Sequence, residues 1–139
     1  MQAFDPAKTV LVVDDYEPIC QLIQLLLVQV GYEVHISTTG RGALQIAKFV
    51  PVIHLTVCGL GLQDMRAEEC VEECALCHPD AAVLFISDAD GLISSTRAFT
   101  VLNRPFTIKE LRTAVYGALS PPLKHRIDAD ALNFTASPS

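Results

Sequence analysis

Apolar residues follow two different spacings along this chain. Uninterrupted apolar runs occupy residues 10–13 and 82–86, a pattern typical of strands buried on both faces. Residues 17–30 instead place apolar side chains three and four positions apart, as a helix with one buried face does. Gly31 follows in the position of a left-handed helix cap. Strands and helices that alternate in this way predict a parallel sheet covered on both faces.

The same patterns predict five strands and four helices. The strands are expected at 9–13, 32–37, 52–57, 82–87 and 99–102, and the helices at 17–30, 41–49, 65–78 and after Thr107. Residues 88–97 are too short and too polar for a long amphipathic helix, so the connection between the last two strands carries at most a short one. Residues 120–139, rich in Ser, Pro and Ala, are expected to form a tail or the start of a linker after a single domain of residues 1–119.

Charge and composition exclude several classes of function. Sixteen acidic and ten basic residues give a net charge of −6, which argues against a nucleic-acid partner for this domain. No apolar run reaches the roughly 20 residues of a membrane span, and the first residues do not look like a signal peptide. We therefore expect a cytoplasmic protein without a membrane partner. The five cysteines are an odd number and are expected to stay reduced.

Two adjacent carboxylates, Asp14 and Asp15, end the first predicted strand. Open α/β sheets bind ligands at the carboxyl ends of their strands, and oxygen ligands suit a divalent cation such as magnesium. In the alternative interpretation, one aspartate caps the following helix and the other is solvated. These residues alone leave both interpretations open. The carboxyl ends of the other strands would add Val57, Ser87 and Arg104 to the same crevice.

Four short motifs occur in order along the chain. They are Val10-Leu11-Val12-Val13-Asp14-Asp15 with Pro18, Gly31-Tyr32-Glu33-Val34, Thr39-Gly40-Arg41-Gly42-Ala43-Leu44, and Arg104-Pro105-Phe106-Thr107. Their order and spacing resemble the receiver domain of two-component response regulators over residues 8–119. The resemblance implies a flavodoxin-like α/β fold with strand order 2-1-3-4-5 and a role in phosphorelay signal transduction. A full fourth helix is expected in that family, whereas here it is shortened.

The family resemblance also implies a chemistry. An aspartate at the end of the third strand takes a phosphoryl group from a histidine kinase, and magnesium held by the acidic pair neutralises phosphoryl charge. Carried over to this chain, Asp14 and Asp15 match the acidic pair and Ser87 matches the hydroxyl that contacts the phosphoryl group. The acceptor position falls on Val57, counted back from Asp64, and the lysine position falls on Arg104.

These departures predict a pseudo-receiver that has lost phosphorylation at the usual site. Without a third carboxylate, magnesium at Asp15 should bind weakly, and Arg104 is expected to pair with Asp14 or Asp15. The domain would then act through contact with a histidine kinase or an output domain. No independent enzyme signature is present.

Two alternatives remain open. Asp64, Asp88 or Asp90 can serve as a displaced phosphoacceptor, although each also suits a helix cap or a solvated loop. Cys70, Cys74 and Cys77, together with His78, can form a metal or redox sensor. Against this second alternative, cysteines on the inner face of a helix usually pack as small hydrophobic residues.

Overall fold

A computed structural model describes residues 8–88, 93, 95 and 97–120 of the chain. It contains one five-stranded parallel sheet with the strand order β2-β1-β3-β4-β5. The strands are β1 (Thr9–Val13), β2 (Glu33–Ser37), β3 (Leu55–Gly59), β4 (Ala82–Ser87) and β5 (Thr100–Asn103). The helices are α1 (Glu17–Gln29), α2 (Gly40–Phe49), α3 (Ala67–Cys77) and α4 (Ile108–Leu119). This is the flavodoxin-like architecture with the strand order expected from the sequence.

The sheet separates two apolar cores, one on each face. Alternate residues of each strand point to opposite faces, so Val10 and Val12 pack in one core while Leu11 and Val13 pack in the other. Helices α1 and α4 cover the first core, and α2 and α3 cover the second. The three central strands β1, β3 and β4 are buried almost throughout, because a helix lies on each side of them. This explains their lack of apolar–polar alternation.

Local sequence signals set several of the element boundaries. Gly31 has a φ of 100°, a left-handed conformation that glycine adopts without a steric penalty, and it ends α1 as expected. Thr107 caps α4 in a reciprocal capping box with Glu110, which satisfies backbone donors at the start of the helix. Thr39 caps α2 by accepting from the N–H of Gly42.

The prediction for β3 was wrong in its bounds. We expected a strand over 52–57 and a loop from Cys58, whereas the strand runs from Leu55 to Gly59. Val13 of β1 lies opposite Cys58 of β3, so the next step along the sheet places Gly59 level with Asp14. The end of β3 lies two residues later than expected, and this shift decides which residue of β3 reaches the crevice.

The connection between β4 and β5 spans residues 88–99. Its described residues, 88, 93, 95 and 97–99, include no helix. Phe99 packs edge-on against Phe85 of β4, with ring centroids 5.4 Å apart, and so covers part of the sheet face. Asp90, the tail 121–139 and residues 1–7 lie outside the described residues. No described helix is long and apolar enough to cross a membrane.

Candidate functional site

Asp14 lies at the carboxyl end of β1 and is almost fully buried, with 1% of its surface exposed. Its Oδ1 accepts a hydrogen bond from the N–H of Tyr16 at 2.9 Å, and its own N–H donates to the carbonyl of Ser37 at 3.1 Å. Burial raises the pKa of the Asp14 carboxyl above its ordinary value of 3.8, and repulsion from Asp15 adds to this. The Tyr16 bond and the Arg104 charge lower the pKa without reversing the net shift.

Arg104 comes from the end of β5 and reaches across the crevice to Asp14. Its Nη2 lies 2.5 Å from Oδ2 of Asp14, and its Nη1 lies 3.4 Å from Oδ1 of Asp88. The backbone N–H of Arg104 donates to the carbonyl of Ser87 at 2.8 Å, which fixes where the side chain starts. The guanidinium therefore bridges one buried and one exposed carboxylate, as a planar fork with several donors is able to do.

The β3 residue that faces this ion pair is Gly59, not Val57 as we expected. A Cβ built on Gly59 would overlap Oδ2 of Asp14 and lie 3.5 Å from Nη2 of Arg104. Val57 is fully buried in the core beneath α1 and α4, two residues before the end of the strand. Counting back from Asp64 gave the wrong residue, because β3 ends at Gly59, two residues later than expected. Glycine, like valine, supplies no carboxylate.

The remaining predicted site residues surround this centre. Ser87 is buried at the end of β4, and Asp15 is exposed beside the loop that carries Gly61. The crevice thus brings together Asp14, Ser87 and Arg104, with Asp15 and Asp88 at its rim.

A magnesium ion fits these donors poorly. A hard cation of this kind binds through carboxylate oxygens that are free to coordinate it. Oδ2 of Asp14 is already paired with Arg104, Gly59 offers no side chain, and Asp15 is the remaining carboxylate of the acidic pair. Among the described residues, no group of three or more His, Cys, Asp or Glu side chains is arranged to hold a metal ion. The positive charge in the crevice is supplied by Arg104.

Comparison with known proteins indicates the family. No family model matches the chain. The chain is 29% identical over 133 residues to the transcriptional regulatory protein ZraR of Escherichia coli K12, and 26% identical over 124 residues to the regulatory protein LuxO of Vibrio vulnificus. These matches cover 92% and 86% of this chain. They cover only 30% and 27% of the two relatives, so the chain spans less than a third of their length.

Solved structures share the whole fold. The receiver domain of the hybrid histidine kinase CckA superposes with a TM-score of 0.72 at 26% identity, covering 81% of this chain and 99% of that one. The chemotaxis protein CheY4 of Vibrio cholerae gives a TM-score of 0.71 at 22% identity over the same shares. In sequence and in fold, this chain is similar to the receiver domains of response regulators. Receiver domains are modules of two-component signalling.

Asp64 lies in the loop that follows β3 and accepts hydrogen bonds from the start of α2. Its two carboxylate oxygens accept from the N–H groups of Gly40 and Arg41, each at 2.9 Å. These two hydrogen bonds lower the pKa of the Asp64 carboxyl below its ordinary value of 3.8. Both oxygens are therefore committed to a helix N-terminus, where negative charge is stabilised.

Four of the five cysteines of this chain are buried. Cys58, Cys70 and Cys74 are at most 3% exposed and belong to the core beneath α2 and α3. The hydrogen bond between the side chains of Cys70 and Cys58, together with burial, raises the pKa of the Cys70 thiol to about 12. Thiols that stay protonated and buried are poor metal ligands and poor nucleophiles.

Spacings of four and three residues place Cys70, Cys74 and Cys77 on one face of α3, but this face is not buried at its C-terminal end. Cys77 is exposed at the end of α3. His78 is buried, with Nε2 lying 2.7 Å from the carbonyl of Ala47, and so serves the packing of α2 against α3.

Proposed function

We propose that this receiver domain is a pseudo-receiver that signals by protein–protein contact, without phosphorylation at the end of β3. The observation that carries the proposal is Gly59, which occupies the place that faces Asp14 and Arg104. A glycine has no side-chain oxygen to attack a phosphorus atom. The space that an aspartate at this position would need is taken by the carboxylate of Asp14.

The ion pair of Asp14 and Arg104 supports this proposal. A phosphorylatable site needs a cation that binds phosphoryl oxygens as charge develops on them. Here the guanidinium already contacts Oδ2 of Asp14 and lies near Asp88. The charge of the buried Asp14 carboxylate is therefore balanced from within the chain, which favours one fixed state over a switch between two.

The partner class follows from the family. We propose that the domain contacts a histidine kinase or an output domain of the same pathway in the cytoplasm, and that it has no enzymatic activity of its own. The names of the two curated relatives, a transcriptional regulatory protein and a regulatory protein, support a regulatory role for this domain. Binding by contact needs no reaction in the crevice.

Incubation with acetyl phosphate and magnesium, followed by intact mass measurement, tests the proposal. We expect the mass of the purified chain to stay unchanged, while a phosphorylatable receiver treated in parallel gains one phosphoryl group. The double variant G59D/R104K restores the acid and the lysine, and it removes the guanidinium that holds Oδ2 of Asp14 in the space beside residue 59. The Asp14 carboxylate can then move aside, so this variant should gain one phosphoryl group. G61D/R104K is the matched control, because a Cβ at Gly61 would lie 3.6 Å from Oδ1 of Asp15 and more than 4 Å from Asp14. A phosphorylated wild-type chain would contradict the proposal.

A displaced acceptor is the second candidate, and the contacts favour Asp88 over Asp64 for that role. The Asp88 side chain is 81% exposed and lies 3.4 Å from Nη1 of Arg104, whereas both oxygens of Asp64 are engaged by α2. If the wild-type chain does gain a phosphoryl group, D88N should abolish the gain and D64N should leave it intact.

A further inference from the structure

The outer face of α1 exposes three large aliphatic side chains. Cys20, Ile23, Leu26 and Leu27 face the core, which leaves Leu22, Leu25 and Val28 exposed by 39%, 56% and 51%. At 100° per residue, Leu25 lies at the centre of this outer face, and Leu22 and Val28 lie on its two flanks. Single exposed aliphatic residues are ordinary, but three on one helical face form a continuous apolar patch of the kind that marks an interface.

This outer face also lacks charge. Residues 18–32 contain no Asp, Glu, Lys, Arg or His, although the chain carries a net charge of −6. The polar positions beside Leu25 are the exposed amides Gln21 and Gln29. The other helices expose charged residues: Arg41 and Lys48 on α2, Glu69 and Glu73 on α3, and Lys109 and Arg112 on α4.

We propose that α1 is a self-association surface, on which a second copy of this chain packs its own α1 in the antiparallel direction. A twofold axis at Leu25 would bring Leu25 against the partner's Leu25, and Leu22 against the partner's Val28. It would also place Gln21 opposite the partner's Gln29, where each amide is able both to donate and to accept a hydrogen bond. Residues symmetric about position 25 are matched in size and polarity, as a twofold interface requires.

The outer face of α1 is uncharged, and this is why we propose a second copy of the chain as its binding partner. In a twofold interface each residue meets its own counterpart, so most surfaces of an acidic chain would bring like charges together. The outer face of α1 avoids this cost. Glu17, the one charged residue of α1, lies eight residues from Leu25, which is about 12 Å along the helix axis. Two copies of Glu17 would stand about 24 Å apart, well beyond the Debye length of about 8 Å in physiological salt.

Sedimentation equilibrium of the full chain and of the variant L25K tests this proposal. We expect the wild-type chain to reach twice the chain mass in the micromolar range, and L25K to dissociate at least tenfold more readily, because it places two ammonium groups at the axis. L76K is the matched control, since Leu76 on α3 is 79% exposed and lies outside the proposed surface. It should associate as the wild type does. A monomeric wild type, or equal behaviour of L25K and L76K, would overturn the proposal.

Cross-linking gives a second readout that does not depend on affinity alone. In a C77S background, which removes the exposed thiol, L25C should form a covalent dimer with diamide. Two thiols there lose two protons and two electrons to the azo group, which is reduced to a hydrazine. L76C in the same background should remain largely monomeric. If neither variant forms dimers but L25K blocks binding of a histidine kinase, the face serves another protein and self-association is refuted.

Discussion

Asp14 and Asp64 are aspartates at the same end of the sheet, and their environments are opposite. Asp14 is buried, has a raised pKa and is held by the guanidinium of Arg104. Asp64 is exposed, has a lowered pKa and is held by two backbone N–H groups of α2. The difference shows that a carboxylate near a receiver crevice is not thereby a reactive group. Asp14 pairs with Arg104 in the crevice, and Asp64 accepts hydrogen bonds from the N-terminus of α2.

Of the substitutions that test this comparison, removal of Arg104 should lower the free energy of unfolding most. R104A leaves the Asp14 carboxylate buried without its positive partner, and breaking a buried ion pair from one side typically costs about 3 kcal/mol. We expect a loss of about that size in the free energy of unfolding at neutral pH, measured with urea. R112A, which removes an exposed arginine of α4, should lose far less. Equal losses in the two variants would mean that the ion pair contributes nothing to stability.

A methyl group at Gly59 should disturb Asp14 from the opposite side. G59A places a Cβ where Oδ2 of Asp14 now lies, so the carboxylate has to move away from Arg104 or the strand has to shift. Overpacking of this kind costs about 1–2 kcal/mol, which urea unfolding will detect. G61A is the control, because its Cβ would meet Asp15 at an ordinary contact distance of 3.6 Å. A stability of G59A equal to that of G61A would show that the crevice accommodates a methyl group at position 59 without strain.

Truncation of Asp64 should have a smaller and more local effect. D64A removes the acceptor from the N–H groups of Gly40 and Arg41, which become free to bind water. The thermal midpoint should fall, and amide exchange at these two N–H groups should accelerate relative to the wild type. D88A removes an exposed aspartate that contacts no helix start, so it should leave both exchange rates unchanged.

The pH dependence of the free energy of unfolding should distinguish Asp14 from Asp64 through the smallest of these effects. A carboxyl whose pKa is raised by folding contributes stability at low pH that is lost as the pH rises from 3.8 through the raised value. A carboxyl whose pKa is lowered contributes stability above 3.8 that is lost as the pH falls through the lowered value. D14N should therefore flatten the profile on the neutral side, and D64N should flatten it on the acid side. Unfolding in urea across about pH 3 to 7 measures both. The same slope in both variants would contradict this assignment.

Most of the fold could be predicted because each element carries its own local signal. The run 82–87 was predicted as β4 with the bounds that it has, and Gly31 and Thr107 mark a helix end and a helix start by their backbone chemistry alone. The bounds of β3 carried no such signal. Val52 and Ile53 are apolar and lie just before Leu55, with His54 between them, so the strand was predicted to start too early and to end too early. The beginning of a buried strand is set by pairing with its neighbours, which the sequence does not display.

The site could be predicted only in part for the same reason. A pairing of Arg104 with Asp14 or Asp15 was expected from the family resemblance, in which Val57 and Arg104 replace an acid and a lysine. The structure shows the pairing with Asp14. The choice between Val57 and Gly59 depended on strand register, where an error of two residues keeps the same face of the sheet and so raises no conflict in the apolar pattern. The double hydrogen bond of Asp64 to α2 depends on contacts between residues more than twenty positions apart, and no local pattern reports it.

Arg104 belongs to the polypeptide, and this has a consequence for how long any signal lasts. A dissociable ion leaves when a chelator removes it, and an acyl phosphate decays by hydrolysis. Each of these processes limits how long a receiver stays in its signalling state. A guanidinium anchored at the end of β5 has neither a dissociation rate nor a chemical lifetime. Under the proposed function, the duration of the signal is set by how much of the protein the cell makes and how fast it degrades it.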